Sequence, residues 1–95
     1  MDRVGISFSS SMTADEVRER YVRPLRAALE AARKGIYTNY LRQADADSAQ
    51  PAEHLLMFHV FDFQEGLHLL RVEIEKLGPP AGMMFHNLNP SDPAY

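Results

Sequence analysis

Four histidines carry most of the chemistry this chain could do: His54, His59, His68 and His86. A neutral imidazole can ligate a metal or move a proton near physiological pH. No two of them have the helical spacing of a two-histidine zinc motif. His59 and His86 fall on strand-like runs that a third strand should separate, which sets their backbones roughly 9 to 10 Å apart. A shared metal would need long reaches, so no metal and no cofactor is expected. With no cysteine in the chain, disulfides, thiol nucleophiles and thiolate ligands are excluded.

The remaining polar clusters have simple readings. Asp45 and Asp47, with Ser48 and Glu53 nearby, lack the ligand number and the defining glycine of a calcium loop. Asp62 and Glu65 resemble an acid–base pair, but capping accounts for both. Ser10, Ser11 and Thr13 place hydroxyls just before a helix start, a weak anion-binding candidate with no glycine-rich cradle and no positioned lysine. Arg71, Glu73 and Glu75 read as a solvated helix face. Arg18, Arg20, Arg23, Arg26 and Arg33 are largely offset by Asp15, Glu16, Glu19 and Glu30. Tyr37 and Tyr40 could stack on bases, yet the net charge of −3 argues against nucleic acid as the main partner.

These groups must be positioned by a short series of elements. The run Val4 to Ser9 alternates apolar and small polar residues, as a half-buried strand does. Thr13-Ala14-Asp15-Glu16 is a capping box, and Val17, Tyr21, Leu25, Ala28, Leu29 and Ala32 follow at helical spacing. Pro24 should kink that helix or start a second one. Gly35 should stop it by taking a positive φ. Ile36 to Leu41 is rich in β-branched and aromatic residues and reads as a strand, with continued helix as the rival. Residues 44–51 form a polar loop. Glu53 to Phe61 is the most apolar stretch and should be a central strand. Asp62 opens a second capping box. Leu67, Leu70, Ile74 and Leu77 then define a helix that Gly78-Pro79 ends, rather than the hairpin that Leu70, Val72 and Ile74 would allow. Gly78-Pro79-Pro80-Ala81-Gly82 should join that helix to a last strand, Met83 to Leu88, before a polar tail.

The order strand–helix–strand–strand–helix–strand implies an α+β fold. We expect a ferredoxin-like (βαββαβ) sandwich: one domain over residues 1–95, with a four-stranded antiparallel sheet ordered fourth, first, third, second and both helices on one face. Leu56, Phe58 and Val60 should face the helices, because those three carry no histidine, the other row carries His59, and a buried unpartnered imidazole is costly. Leu55, Met57, His59 and Phe61 should then lie on the open face. Such an apolar patch is seldom left in water, so it is the expected interface of a homodimer.

The leading expectation is a non-catalytic, inhibitor- or immunity-like module that binds a protein partner. The alternative is a small dimeric α+β-barrel enzyme with an apolar pocket, His59 or His86 as acid or base and Tyr37 or Tyr40 orienting a substrate. A single-stranded RNA-binding sheet ranks third. No stretch approaches the length of a membrane span, and the N-terminus lacks a signal-like apolar run. A cytoplasmic setting is expected, with alanine and arginine usage pointing to a GC-rich bacterial gene.

Overall fold

The computed structural model describes residues 1–45 and 49–90. Asp47 and Ser48, and the end of the polar tail, lie outside the described residues. The elements are β1 (Asp2–Ser10), α1 (Ala14–Val17), a π-helical turn (Arg18–Val22), α2 (Arg23–Ala32), β2 (Gly35–Gln43), β3 (Ala52–Val60), α3 (Phe63–Leu77) and β4 (Met84–Asn87). The four strands form one antiparallel sheet in the order β2-β3-β1-β4. This is an α+β fold. No helix among the described residues is long and apolar enough to cross a membrane.

Val4, Ile6 and Phe8 of β1 and Leu56, Phe58 and Val60 of β3 pack against Val17, Tyr21, Leu25 and Leu29 of the first helical arm and Leu70 and Ile74 of α3. All of these are buried. Phe85 of β4 is half-buried against the same core and lies under the Arg71 guanidinium of α3. The molecule is a slab of 39 × 39 × 19 Å, thin enough for two layers.

The first arm begins as its sequence requires. The Thr13 hydroxyl accepts from the Glu16 amide at 3.2 Å, and the Glu16 carboxylate accepts from the Thr13 amide at 3.3 Å. Pro24 is accommodated by the π turn just before it. Proline has no N–H to give to the carbonyl four residues back, and its ring crowds that turn. The Arg23 amide reaches instead to the Arg18 carbonyl, five residues back. The wider turn also brings Val22 into the core beside Tyr21, a position that 3.6-residue spacing from Val17 does not predict.

Two local expectations need correction. Gly35 does not close the arm; Arg33 does, in the left-handed region at φ 55°, with the Lys34 amide donating to the Leu29 carbonyl at 3.0 Å. That six-to-one bond is the usual closure of a helix by a left-handed residue. Gly35 is instead the first residue of β2, and a Cβ there would sit 2.3 Å from the His59 carbonyl oxygen and 2.9 Å from Val60 Cα. Glycine is needed here for close approach. The second capping box is half made. Asp62 accepts from the Glu65 amide at 2.9 Å, while the Glu65 carboxylate meets Lys34 Nζ at 3.1 Å.

Gly35→Ala is therefore expected to cost about 1–3 kcal/mol, because backbone must move to admit the methyl group. Arg33→Gly should gain about 0.5–1 kcal/mol, the relief of left-handed strain less the extra chain entropy of glycine. Urea midpoints moving in opposite directions would bear this out; equal or same-sign shifts would contradict it.

Candidate functional site

Antiparallel pairing fixes which side chains share the face away from the helices, since directly opposed residues point the same way. Leu41, Leu55, Ser7 and Met84 form one transverse row across β2, β3, β1 and β4. Asn39, Met57, Gly5 and His86 form the next, and Ile36, His59 and Arg3 a third. Leu55, Met57, His59 and His86 are half-buried on this face. Ile36, Leu41 and Met84 are 44%, 50% and 60% exposed, so the slab presents water with an apolar sheet face. Phe61 lies one residue beyond β3 and is 63% exposed; its amide donates to the Lys34 carbonyl at 3.0 Å.

Gly5 shapes the middle of the face. A Cβ there would lie 2.8 Å from Leu88 Cδ1 and 3.1 Å from Leu55 Cδ1, so the missing side chain lets both leucines close over β1. Leu88 is anchored by its amide, which donates to the Arg3 carbonyl at 2.9 Å. Between Leu88 and Leu41 lies an open depression of about 640 Å³, with Leu55, Ser7 and His86 among its lining residues. Ser7 Oγ and His86 Nε2 are hydrogen-bonded at 2.5 Å. Arg42, Gln43, Glu53 and His54 complete the lining.

The opposite face holds a buried polar network that pattern reading missed. The helix-facing row of β3 is not free of histidine: it includes His54, which is 1% exposed. The ring bonds the Tyr40 hydroxyl through Nδ1 at 2.6 Å. Its Nε2 lies 3.0 Å from Ser10 Oγ and 3.3 Å from the Ser10 carbonyl oxygen. A carbonyl only accepts, so Nε2 carries the proton and Nδ1 accepts from Tyr40. The His54 ring stacks on Phe8, with centroids at 4.9 Å, and lies within 18° of parallel to the Tyr40 ring, whose centroid is at 5.9 Å. The available signal was its register: His54 is two residues from Leu56 on one strand, and period two puts both on the same face.

The named candidates therefore divide between two faces. His59 and His86 lie on the open side. Tyr37 packs edge-on against buried Phe58 at 5.9 Å, and Tyr40 is buried beside His54, both on the helix side. The structure does not bring those four together. His68 is exposed on α3. The Ser10 hydroxyl accepts from the Met12 amide at 3.2 Å and the Thr13 hydroxyl is taken by the cap, while Ser11 is exposed. Among the described residues, no group of three or more histidines or carboxylates is placed to hold a metal. No protein-family model matches the chain, and no curated protein matches it in sequence.

Burial pushes the His54 imidazole below its ordinary pKa of 6.5; the Ser10 carbonyl opposes that and Arg42 adds to it. Burial raises the Tyr40 phenol above 10.0, against the pull of Arg42 and Arg18. Because the folded pKa of His54 is lowered, the unfolded chain takes up the proton first. The stability this group contributes is present above about pH 6.5 and is lost as pH falls from there through the folded value. The urea midpoint should drop between pH 7.5 and 5, and His54→Gln should flatten that slope; superimposable pH profiles would contradict it. Tyr40→Phe leaves Nδ1 without a donor and should cost about 1–3 kcal/mol.

Proposed function

We propose that this chain is a non-catalytic, inhibitor- or immunity-like interaction module that works as a homodimer, with the open sheet face as its interface. The element order, together with the sheet order β2-β3-β1-β4, supports reading it as a ferredoxin-like sandwich with both helices on one side. The observation that carries the reading is the uncovered apolar grid of Ile36, Leu41, Leu55, Met57 and Met84 on a slab only 19 Å thick.

The occupant best matched to that grid is a second copy. Three strands of nine residues and the four-residue β4 make a face roughly 30 Å long over three strands and about 13 Å long at β4, at ordinary strand spacing. That projected area is on the order of 500 Å², and side-chain relief raises the accessible area toward the ~800 Å² per partner of a standard interface. Most of these side chains are only part-exposed already, so each contributes less than the roughly 1.5–3 kcal/mol of full burial. Several together must offset the entropy of association. A charged or polar partner would leave the leucines unsatisfied, whereas a mate offers the same apolar rows.

One observation favours a second reading, a small dimeric α+β-barrel enzyme. The depression beside His86 would lie between two facing sheets, with His86 placed as acid or base. Ser7 is hydrogen-bonded to His86, Glu53 is the carboxylate of the lining, and neither Tyr37 nor Tyr40 belongs to it.

Leu55→Asp puts a carboxylate at the centre of the face, and Phe61→Asp puts one at its end. In sedimentation, the parent chain should run at twice the chain mass of 10.8 kDa and Leu55→Asp at the single mass with unchanged circular dichroism. A parent chain that sediments as a monomer at all concentrations would refute the interface.

A further inference from the structure

We infer that the depression on the open sheet face is a binding site for a small, neutral, flat aromatic molecule that carries a hydroxyl group, a phenol in chemical class. This deepens the sheet-face reading and rests on it for a roof, since a second sheet would cover the depression; its floor belongs to one chain.

The walls are apolar. Leu41 and Leu55 are directly opposed on β2 and β3, and Leu88 folds over Gly5 to face them. The volume of about 640 Å³ lies within the usual range for small-molecule sites, which are mostly apolar with a few placed polar groups. A flat ring system suits leucine walls standing on a sheet.

The polar feature set among these leucines is the Ser7–His86 pair, bonded at 2.5 Å. Its proton can be shared in two ways. If Nε2 accepts from Ser7, the remaining lone pair of Oγ is free to accept from a ligand. If Nε2 donates, the Ser7 O–H is free to donate. A ligand hydroxyl can donate or accept, so it satisfies the pair in either tautomer. An ether or ketone satisfies only one. Glu53 lines the site, whereas Arg42 is paired with helix-facing His54 and its charge belongs to the other face; the carboxylate disfavours an anion, so the ligand hydroxyl is held neutral rather than as a phenolate.

Ser7 and His86 also link β1 to the short edge strand β4, and a purely structural role must be separated from a binding role. The probe is 2-naphthol, with 2-methoxynaphthalene as a comparator of the same shape that cannot donate. Both are titrated into the isotope-labelled full-length chain and followed by amide and methyl shifts. Saturable changes are expected at Ser7, Leu55, His86 and Leu88, with the ether at least fivefold weaker. Ser7→Ala should weaken 2-naphthol at least fivefold and the ether by less, while Ser7→Thr, which keeps the hydroxyl, should retain the preference. No saturable change at these residues up to the probe's solubility limit would overturn the inference, as would equal affinity for phenol and ether. Sedimentation of the same samples separates the two readings. A monomer that binds 2-naphthol with this preference supports the site and removes the dimer. A dimer that binds neither probe overturns the site and leaves the interface standing.

Discussion

Val60 is held between two glycines, and the rest of the structure is registered from that point. A Cβ on Gly35 would meet Val60 Cα at 2.9 Å, and one on Gly66 would meet Val60 Cγ1 at 2.4 Å. Gly35 opens β2 and Gly66 sits in the second turn of α3, so one valine sets the closest approach of both to the sheet. Glycine inside a helix carries an entropic cost of roughly 0.5–1 kcal/mol relative to alanine, which the packing of α3 on β3 must offset. The same corner is tied by the Phe61 amide to the Lys34 carbonyl at 3.0 Å and by the exposed Lys34–Glu65 pair, worth little by itself. Because a one-residue slip in a strand exchanges its faces, this corner decides which residues of β2 and β3 look toward the helices and which toward solvent.

The two faces that result differ in kind. On the helix side, apolar packing is dense, and its one buried histidine is satisfied at both nitrogens by Tyr40 and Ser10. Among the described residues, no buried side-chain polar atom lacks a partner. A network of that kind fixes the far end of the sheet as Val60 fixes the near end, and it leaves no spare hydrogen-bonding capacity for a ligand. On the other side, leucine, isoleucine and methionine stand in rows around a single serine–histidine pair. Spare capacity and uncovered apolar area occur together there, which is why binding is placed on that face.

Much of this was legible in the residues. Alternation marked β1, capping chemistry marked both helix starts, and the apolar density of residues 53–61 marked a central strand. The type of residues 36–41 was recoverable because β-branched and aromatic side chains outweigh helical continuation once the arm is closed. What escaped was contact-dependent. Gly35 carries the signature of a helix stop, and nothing local distinguishes that from a close approach to His59 and Val60, 24 and 25 residues further along the chain. The π turn is implied by Pro24, but its core residue, Val22, follows only once the turn has widened. His54 was misread because polarity was weighed above period. A buried imidazole is tolerated once Tyr40 and Ser10 are brought to it by pairings that span the chain. The depression requires Leu88 to fold over Gly5, a contact between opposite ends of the sequence.

Solvent accessibility of methyl groups tests the central claim most directly. In a single chain Leu41 and Met84 are 50% and 60% exposed, and Val72 on the outer face of α3 is 39% exposed. A soluble gadolinium chelate broadens methyl signals according to their exposure in solution. If the sheet face is covered by a second copy, the Leu41 and Met84 methyls will be broadened less than those of Val72, reversing the single-chain order. If they are broadened as much as or more than Val72, the face stands open to water and the account is wrong.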